Sequence, residues 1–162
     1  MSTKWSHLPN AHLIDWVLES VKTDPEAWKA AWDAAWAAWA AREVAWEYGR
    51  MTAWYAAWEY GRMTAWDAAR DAVWDATRDA AQAAEGAAEG AAASYAAWYA
   101  AWYAARDAAI ALIADDTAAQ YLHMGPDKLK VWVILSEKPA AYLLIPANQI
   151  WQREHARAVV HE

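Results

Sequence analysis

Cysteine and phenylalanine are both absent from this chain of 162 residues. The lack of cysteine excludes disulfides, thiolate metal sites and cysteine nucleophiles together. Apolar residues nevertheless make up 59% of the chain, mainly through alanine and 15 Trp. This composition excludes general disorder, and the length suits one domain of ordinary size.

A long apolar run and an excess of positive charge are also lacking. The longest uncharged stretch, Gly90 to Ala105, is shorter than the roughly 20 strongly apolar residues that a membrane span needs. The formal net charge of −7 argues against non-specific binding of nucleic acid, although a few Arg side chains could still hold a compact anion. No basic segment followed by an apolar one opens the chain, so we expect an intracellular, cytoplasmic protein without a membrane role.

A four-residue register runs without interruption from Arg42 to Ile113. One position holds mainly Trp and Arg, the next mainly an acid or Tyr, and the other two mainly Ala. We call the first position the Trp/Arg column, and its members are Arg42, Trp46, Arg50, Trp54, Trp58, Arg62, Trp66, Arg70, Trp74, Arg78, Gln82, Gly86, Gly90, Ser94, Trp98, Trp102, Arg106 and Ile110. A period of four favours right-handed winding, and small residues four apart let helices approach closely. We expect Ala-lined, steeply crossing helices with Trp in the outer grooves.

Helix signals are clear near the N-terminus. Asn10 is a suitable N-cap for a first helix from Ala11 to Lys22, whose apolar residues recur at spacings of three and four. Asp24 is a suitable N-cap for a second helix that begins at Pro25, a residue favoured at the first helical position.

A single helix from Pro25 to Gln82 would be about 87 Å long, so the chain must fold back or form a rod with partners. The strongest turn signal is the segment Glu85 to Gly90, followed by Ser94 as a suitable N-cap for a helix that ends near Ala114. The register also predicts four ion pairs at i,i+3 spacing: Glu47 with Arg50, Glu59 with Arg62, Asp67 with Arg70, and Asp75 with Arg78.

Gly49 and Gly61 are weaker turn candidates because they lie in a perfect duplication. The segment Ala45 to Trp54 recurs as Ala57 to Trp66, twelve residues later. Twelve residues are three tetrads, which indicates that the tetrad is the unit whose insertion the fold tolerates.

The register ends at Asp115. Asp115 and Asp116 could cap a short helix through Tyr121, and Gly125-Pro126-Asp127 begins another helix that Lys138-Pro139 ends. Residues 131–135 would suit a strand as well, but we predict a helix there. A polar helix is expected from Ala147 to Val159.

The predicted fold is therefore all-α: an Ala/Trp-rich bundle of long helices with close right-handed packing and a small C-terminal helical unit. We expect an N-terminal helix (1–24), a tetrad-repeat helical hairpin (25–114) and a C-terminal unit (115–162) within one integrated domain. Because 15 Trp exceed what one slender bundle can bury, we also expect a homo-oligomer.

Four segments carry a resemblance to a known group of proteins. They are His-Leu-Pro-Asn-Ala-His-Leu-Ile-Asp-Trp-Val, Ala-Trp-Asp-Ala-Ala-Arg-Asp-Ala, Leu-Ile-Ala-Asp-Asp and Leu-Leu-Ile-Pro-Ala. Through them the chain resembles the alanine-rich tetrad-repeat proteins of tailed phages and bacteria, over nearly its whole length. The resemblance implies a phage origin and no particular activity, and this chain departs from the pattern in its high Trp and Tyr content and its duplicated block.

The Trp/Arg column and its neighbours supply the candidate binding residues. Stacking of a guanidinium on an indole, and of planar ligands on Trp and Tyr, would suit either a nucleotide or a protein partner. The candidates are Trp98, Tyr99, Trp102, Tyr103 and Arg106 as an aromatic wall with one cation, and Trp54, Trp58 and Arg62 as a second group. Ordinary packing of Trp between Ala-faced helices is the alternative that also fits these residues.

No residue pattern indicates catalysis. The five His show no metal-ligand spacing, no Ser has the context of a nucleophile elbow, and no glycine-rich phosphate loop follows a strand. We expect a non-enzyme without cofactor or metal.

The expected function is that of a phage-encoded binding protein that sequesters or blocks a host defence factor, most concretely a nucleotide second messenger. An alternative is an acidic inhibitor of a host protein that imitates nucleic acid through the row Asp67, Asp71, Asp75 and Asp79. Another alternative is a self-assembling structural protein.

Overall fold

The computed structural model describes residues 2–39, 43–85, 91–135 and 138–160, and within these ranges the chain is helical without a strand. The helices are α1 (Ala11–Thr23), α2 (Pro25–Trp39), α3 (Glu43–Glu59), α4 (Met63–Glu85), α5 (Ala91–Ala114), α6 (Ala119–His123), α7 (Pro126–Leu135), a 3-10 helix (Pro139–Leu144) and α8 (Ile145–Val160). The predicted all-α class is confirmed, as is the helix over residues 131–135. None of the helices in the described ranges combines the length and apolar character that crossing a membrane requires.

Helix α5 is the centre of the fold. It contacts α1, α2, α3, α4, α8 and the 3-10 helix. Its second half carries small or aliphatic side chains on every side, and these are at most 1% exposed: Ala101, Ala104, Ala105, Ala108, Ala109, Ala111, Leu112 and Ile113. Alanine on several faces of one helix lets several neighbours approach it closely, which explains the central position of α5.

Small residues of the tetrad, rather than its Trp and Arg, form the inner surface of α3 and α4. The position that precedes the Trp/Arg column is buried at Gly49, Ala53, Ala57, Ala65, Ala69, Val73, Thr77 and Ala81. The Trp/Arg column lies beside this buried row, so its members range from the buried Trp46 and Trp66 to the exposed Trp58. The expected Ala-lined contacts are confirmed, but Trp is not confined to outer grooves: Trp28 and Trp32 of α2 belong to the core.

Asn10 precedes α1 as predicted, but its side chain does not cap that helix. Its Nδ2 instead donates to the backbone carbonyls of Leu112 and Asp115, at 2.9 and 2.8 Å. The carbonyl of Leu112 lies in the last turn of α5, where helical N–H partners run out. The carbonyl of Asp115 directly follows the helix and also accepts from the N–H of Ala118 at 3.1 Å. The prediction for Asp24 is confirmed, since its Oδ1 accepts a hydrogen bond from the N–H of Ala27 at 3.2 Å.

The two copies of the duplicated segment adopt different structures. Gly49 lies inside α3, whereas Gly61 adopts a φ of +69° and separates α3 from α4. At this break the N–H of Arg62 bonds to the carbonyl of Ala57 at 2.7 Å, and the N–H of Gly61 bonds to that of Trp58 at 3.1 Å. This is the Schellman pattern of a helix end, so the turn predicted only weakly at Gly61 is a genuine one.

The turn predicted most strongly, Glu85 to Gly90, falls largely on residues 86–90, which lie outside the described residues. Helix α4 ends at Glu85 and α5 begins at Ala91. Ser94 is therefore inside α5 and is not its N-cap, so that detail of the prediction was wrong. The predicted end of the helix near Ala114 is confirmed.

The C-terminal part packs closely against the rest. Asp115 accepts a hydrogen bond from the N–H of Thr117 at 2.9 Å but does not cap α6, whose N-cap is Ala118 and which ends at His123, so that prediction was wrong. Helix α7 begins at Pro126 as predicted. Helix α8 is less polar than expected, because Ala147 and Ile150 at its start are buried. Its buried Asn148 donates through Nδ2 to the carbonyls of Tyr121 and Met124, at 2.8 and 2.9 Å, and so binds the end of α6.

Candidate ligand-binding groove

The Trp/Arg columns of α4 and α5 meet along one groove, which we call the α4–α5 groove. The two helices run antiparallel, so that Trp66 and Arg70 lie across from Ile110 and Arg106. One tetrad further along α4, Trp74 and Arg78 lie across from Trp102 and Trp98. Because each step of four residues on α4 is matched by a step of four on α5, the tetrad keeps the two columns in register.

One end of the groove is a cleft that we call the aromatic pocket. Its volume is about 250 Å³, and its lining consists of Trp74, Thr77, Arg78, Ala81, Gln82, Trp98, Tyr99 and Trp102. The Trp74 and Trp102 rings meet edge to face, with centroids 5.2 Å apart and planes at 83°. The walls are therefore flat apolar surfaces at an angle to one another, which suits a planar ligand.

Two polar atoms of the aromatic pocket residues lack a partner. The Nε1 atoms of Trp98 and Trp102 are buried, and neither donates a hydrogen bond within the described part of the chain. Buried donors in native proteins nearly always bond to something, because an unpaired one loses its hydration without compensation. Both N–H groups are covered by protein atoms, so they lie within the wall of the pocket and do not face its opening.

The adjoining part of the groove is more charged, and we call it the arginine pocket. It has a volume of about 340 Å³ and is lined by Arg50, Met51, Trp54, Trp66, Arg70, Arg106, Asp107 and Ile110. Three guanidinium groups and one carboxylate lie in this lining, and Glu47, Asp67 and Asp71 pair with two of the arginines from outside it. The side chain of Arg70 is 46% exposed and makes only loose ion pairs with Asp67 and Asp71, at 3.6 and 3.8 Å. Arg70 is thus well placed to pair with an incoming anion.

Asp107 anchors two of the three arginines. Its carboxylate is 1% exposed and accepts hydrogen bonds from Trp46 Nε1 at 3.1 Å and from Arg50 Nε at 3.0 Å. Arg50 Nη2 lies 3.0 Å from the same oxygen, and Arg106 Nη2 lies 3.4 Å from the other one. The buried carboxylate therefore fixes the position of both guanidinium groups at the wall of the pocket.

Arg106 marks the boundary between the two pockets. Its guanidinium lies 4.9 Å from the ring centroid of Trp102 and 4.7 Å from that of Tyr103. The stacking expected between a Trp and an Arg four residues later is thus confirmed for Trp102 and Arg106. Since Trp102 lines the aromatic pocket and Arg106 the arginine pocket, a ligand could contact both at once.

The candidate residues from the sequence divide into three groups. Trp98, Tyr99 and Trp102 line the aromatic pocket, and Trp54 and Arg106 line the arginine pocket. Tyr103 lines neither pocket and instead lies parallel to Trp32, with centroids 6.1 Å apart and planes at 17°. Trp58 and Arg62 also line neither pocket; the former is 63% exposed.

Sequence reasoning missed Asp107 and the contribution of α4. Arg106 and Asp107 are the only charged residues of α5, and an isolated acid in an apolar helix was a usable signal for a buried ionic cluster. Trp74, Arg78 and Arg70 belong to the same Trp/Arg column as the candidates, but only the packing of α4 on α5 shows that they share the groove.

Arg62 has a structural role. Its Nη1 donates to the carbonyl of Ile113 and to Asp116 Oδ1, both at 2.7 Å, and its Nη2 donates to Asp116 Oδ2 at 3.1 Å. The predicted pair with Glu59 was wrong, because the turn at Gly61 carries Arg62 away from the helix that holds Glu59. The other three predicted i,i+3 pairs are present.

The ion pair of Arg62 and Asp116 should make stability depend on pH. Hydrogen bonding from Arg62 lowers the pKa of Asp116 below its ordinary value of 3.8. The unfolded chain then takes up the proton more readily than the folded one, so the stabilisation is present above that ordinary value and is lost as pH falls through the lower pKa of the folded protein. Because Asp116 is 47% exposed, we expect Asp116→Asn to lower the free energy of unfolding by at most about 1 kcal/mol near neutral pH.

Urea denaturation of both proteins near neutral pH and again well below the ordinary Asp pKa checks this expectation. The difference between them should vanish in acid. Asp75→Asn is the matched control, since its pair with Arg78 at 3.2 Å lies on the exposed side of α4. A difference for Asp116→Asn that persists unchanged in acid would contradict the ionic origin.

No protein-family model matches this chain, and neither a curated protein nor a solved structure is similar to it. Within the described ranges no three His, Asp or Glu side chains are grouped so that they could hold a metal ion.

Proposed function

We propose that this chain is a non-catalytic binding protein whose α4–α5 groove takes a small planar anion, most concretely a nucleotide second messenger. The observation that carries the proposal is the direct neighbourhood of the two pockets. An aromatic cleft walled by Trp and Tyr rings adjoins a pocket with three guanidinium groups.

The aromatic pocket suits the base of a nucleotide, and the arginine pocket suits its phosphate. A base has two apolar faces that stack on Trp and Tyr rings. A phosphate pairs with guanidinium groups through charge-assisted hydrogen bonds. The pocket volumes of about 250 and 340 Å³ together reach the range of small-molecule sites.

Charge favours a small anion over a polymer. With a net charge of −7 the molecule repels the long phosphate backbone of nucleic acid. The guanidinium group of Arg70, whose ion pairs are long, can still attract a compact anion.

The resemblance to tetrad-repeat proteins of tailed phages supports a phage origin, and with it a role of this binding during infection of a bacterial host. A phage protein that binds a nucleotide without converting it would act by sequestration, in the cytoplasm of the bacterial host. Removal of an immune messenger from a host defence system is the role that we propose, with a homo-oligomer as the working form.

Calorimetric titration with nucleoside mono- and triphosphates and with cyclic mono-, di- and trinucleotides tests the proposal. Trp98→Ala should weaken binding of the preferred nucleotide by roughly 5- to 100-fold, the range for loss of one stacked aromatic. Arg70→Gln should weaken binding by about tenfold and reduce its salt dependence. We choose Arg70 because Arg106 also neutralises the buried Asp107.

Two controls match these variants in chemistry. Tyr60→Ala removes an aromatic ring that is 65% exposed and lines neither pocket, and Lys29→Gln removes a cation that pairs with Asp33 on α2. Neither should change binding, because both lie outside the two pockets and outside the other surfaces that we consider for contacts. The proposal fails if none of the nucleotides binds, or if the combined variant Trp98→Ala with Arg106→Ala binds as tightly as the unchanged protein.

The exposed acids of α4 favour a second candidate. Asp67, Asp71 and Asp75 have side chains 57, 76 and 60% exposed, in a row along the outside of the helix. Such a row could take the place of phosphates on a host protein that binds nucleic acid. This alternative predicts a stable complex in pull-down that weakens with salt and with neutralisation of the row from Asp67 to Asp79. A purely structural role would instead give large homo-assemblies without another partner.

A further inference from the structure

Helix α3 carries an apolar face that the rest of the fold leaves uncovered. Its members follow one another at spacings of four, three, four and three residues: Val44, Tyr48, Met51, Tyr55 and Trp58. Their exposed fractions are 84, 60, 56, 56 and 63%. We call these five residues the α3 stripe, and they lie on the side of the helix opposite the buried Gly49, Ala53 and Ala57.

The two sides of α3 follow different periods. The inner side repeats every four residues, as the rest of the tetrad region does. The α3 stripe alternates spacings of four and three, which is the spacing of a helix that packs along its length against another helix. Exposed aromatic and aliphatic side chains in this arrangement are the pattern of a helix–helix interface rather than of a solvated surface.

We propose that the α3 stripe binds the α3 stripe of a second copy of this chain, in antiparallel orientation about a two-fold axis. The area is suitable: with the adjacent Trp54, which is 42% exposed, the stripe presents roughly 700 Å² at the usual size of such side chains. A stable interface buries about 800 Å² on each partner, and a two-fold dimer is the commonest closed assembly.

The order of side chains along the stripe is self-complementary in one direction. A two-fold axis near Met51 brings Tyr48 of one copy against Tyr55 of the other. The same axis brings Val44, the smallest member, against Trp58, the largest. A parallel pair would instead place Trp58 against Trp58 and Val44 against Val44, which leaves a crowded layer at one end and a gap at the other.

The dimer does not depend on the proposed ligand. Met51 and Trp54 belong to the lining of the arginine pocket, so a second copy on the α3 stripe lies beside that pocket. Association of the purified chain without nucleotide therefore tests the interface alone, and its outcome is independent of whether a nucleotide binds in the α4–α5 groove.

Sedimentation equilibrium of the purified full chain tests the interface. We expect a dimer with a dissociation constant of roughly 1 μM or below, the range for interfaces of this size. Tyr48→Glu and Tyr55→Lys should each weaken it about 100-fold, since each places an unpaired charge in the interface of both copies. The combined variant should return to within about tenfold of the unchanged protein, because the introduced carboxylate then faces the introduced ammonium of the second copy.

Val131→Glu is the matched control, because Val131 is an equally exposed aliphatic residue on α7, at 59%, and lies outside the α3 stripe. It should leave the dimer unchanged, and circular dichroism should show the same helix content for every variant. A monomer at about 100-fold above the expected dissociation constant would overturn the proposal and leave the stripe to a different protein. A dimer insensitive to Tyr48→Glu, or single variants that do not rescue each other, would overturn it as well.

Discussion

Asp107→Ala is expected to lower the free energy of unfolding by about 3 to 5 kcal/mol, the loss typical of a buried ion pair that is broken from one side. The carboxylate is 1% exposed and accepts hydrogen bonds from Trp46 and Arg50. Its removal leaves the guanidinium of Arg50, which is 22% exposed, without its buried partner. The buried indole N–H of Trp46 also loses its acceptor, whereas Arg50 keeps its second partner, the exposed Glu47.

Urea denaturation followed by tryptophan emission and by circular dichroism measures this loss. Asp75→Ala is the control, since Asp75 pairs with Arg78 on the surface and should contribute less than about 1 kcal/mol. Asp107→Asn should fall between the two, because the amide oxygen still accepts a hydrogen bond but carries no charge. Equal stabilities for Asp107→Ala and Asp75→Ala would show that the buried cluster does not hold α3 to α5.

Helix starts were predicted correctly where the residues that indicate the start are neighbours in sequence and also make the capping contact. Asp24 caps α2 through the N–H of Ala27, three residues away, and Pro126 begins α7 directly after Gly125. These interactions lie within one turn of helix, so the sequence contains both partners side by side. The period of four likewise predicted the Ala-lined contacts, because a helix converts a sequence period directly into a face.

Partners that are distant in sequence escaped prediction. Asn10 bonds to Leu112, 102 residues away, and Arg62 bonds to Ile113, 51 residues away. Both side chains bind carbonyls at the end of α5, where a helix needs donors from elsewhere. A local reading assigned each of them to its own helix, as an N-cap and as an i,i+3 partner, because it has no access to the neighbour that competes for the same side chain.

Of the two walls of the candidate site, only the one on α5 could be predicted, for a related reason. The Trp/Arg column identified Trp98, Trp102 and Arg106 on α5 as one face of a helix. The opposite wall depends on which tetrads of α4 lie across from them, and that register is set by how the hairpin closes rather than by either helix. Trp74 and Arg70 therefore could be recognised as column members but not as parts of the same groove.

The duplicated segment shows the same limit within one decapeptide. Its ten residues are identical in both copies, yet Gly49 continues a helix and Gly61 ends one. The difference comes from the neighbours. The 3-10 helix packs against α3 at Gly49, whereas nothing lies within 4 Å of the position a Cβ would take at Gly61. Helix α3 continues through Gly49, where the 3-10 helix packs against it. It ends before Gly61, and Arg62 then forms its ion pair with Asp116.

Gly49→Ala should therefore lower the free energy of unfolding by about 2 kcal/mol or more, although alanine is the better helix former by about 1 kcal/mol. A Cβ at Gly49 would lie 2.5 Å from the carbonyl oxygen of Pro139 and 3.2 Å from its carbonyl carbon. These are backbone atoms and cannot rotate aside as a side chain would. To admit the methyl group, α3 and the 3-10 helix must separate and open the core around Ala53.

Gly61→Ala should cost about 1 to 2 kcal/mol for a different reason, the strain of an L-residue at a φ of +69°. Asparagine distinguishes the two causes, because it tolerates this conformation better than alanine does but is larger. Gly61→Asn should recover part of the loss caused by Gly61→Ala, whereas Gly49→Asn should be at least as damaging as Gly49→Ala. Thermal and urea unfolding of the four variants measures this crossover. If the asparagine variant is more stable than the alanine variant at both positions, or less stable at both, then steric contact at Gly49 and backbone strain at Gly61 do not explain the difference between the two copies.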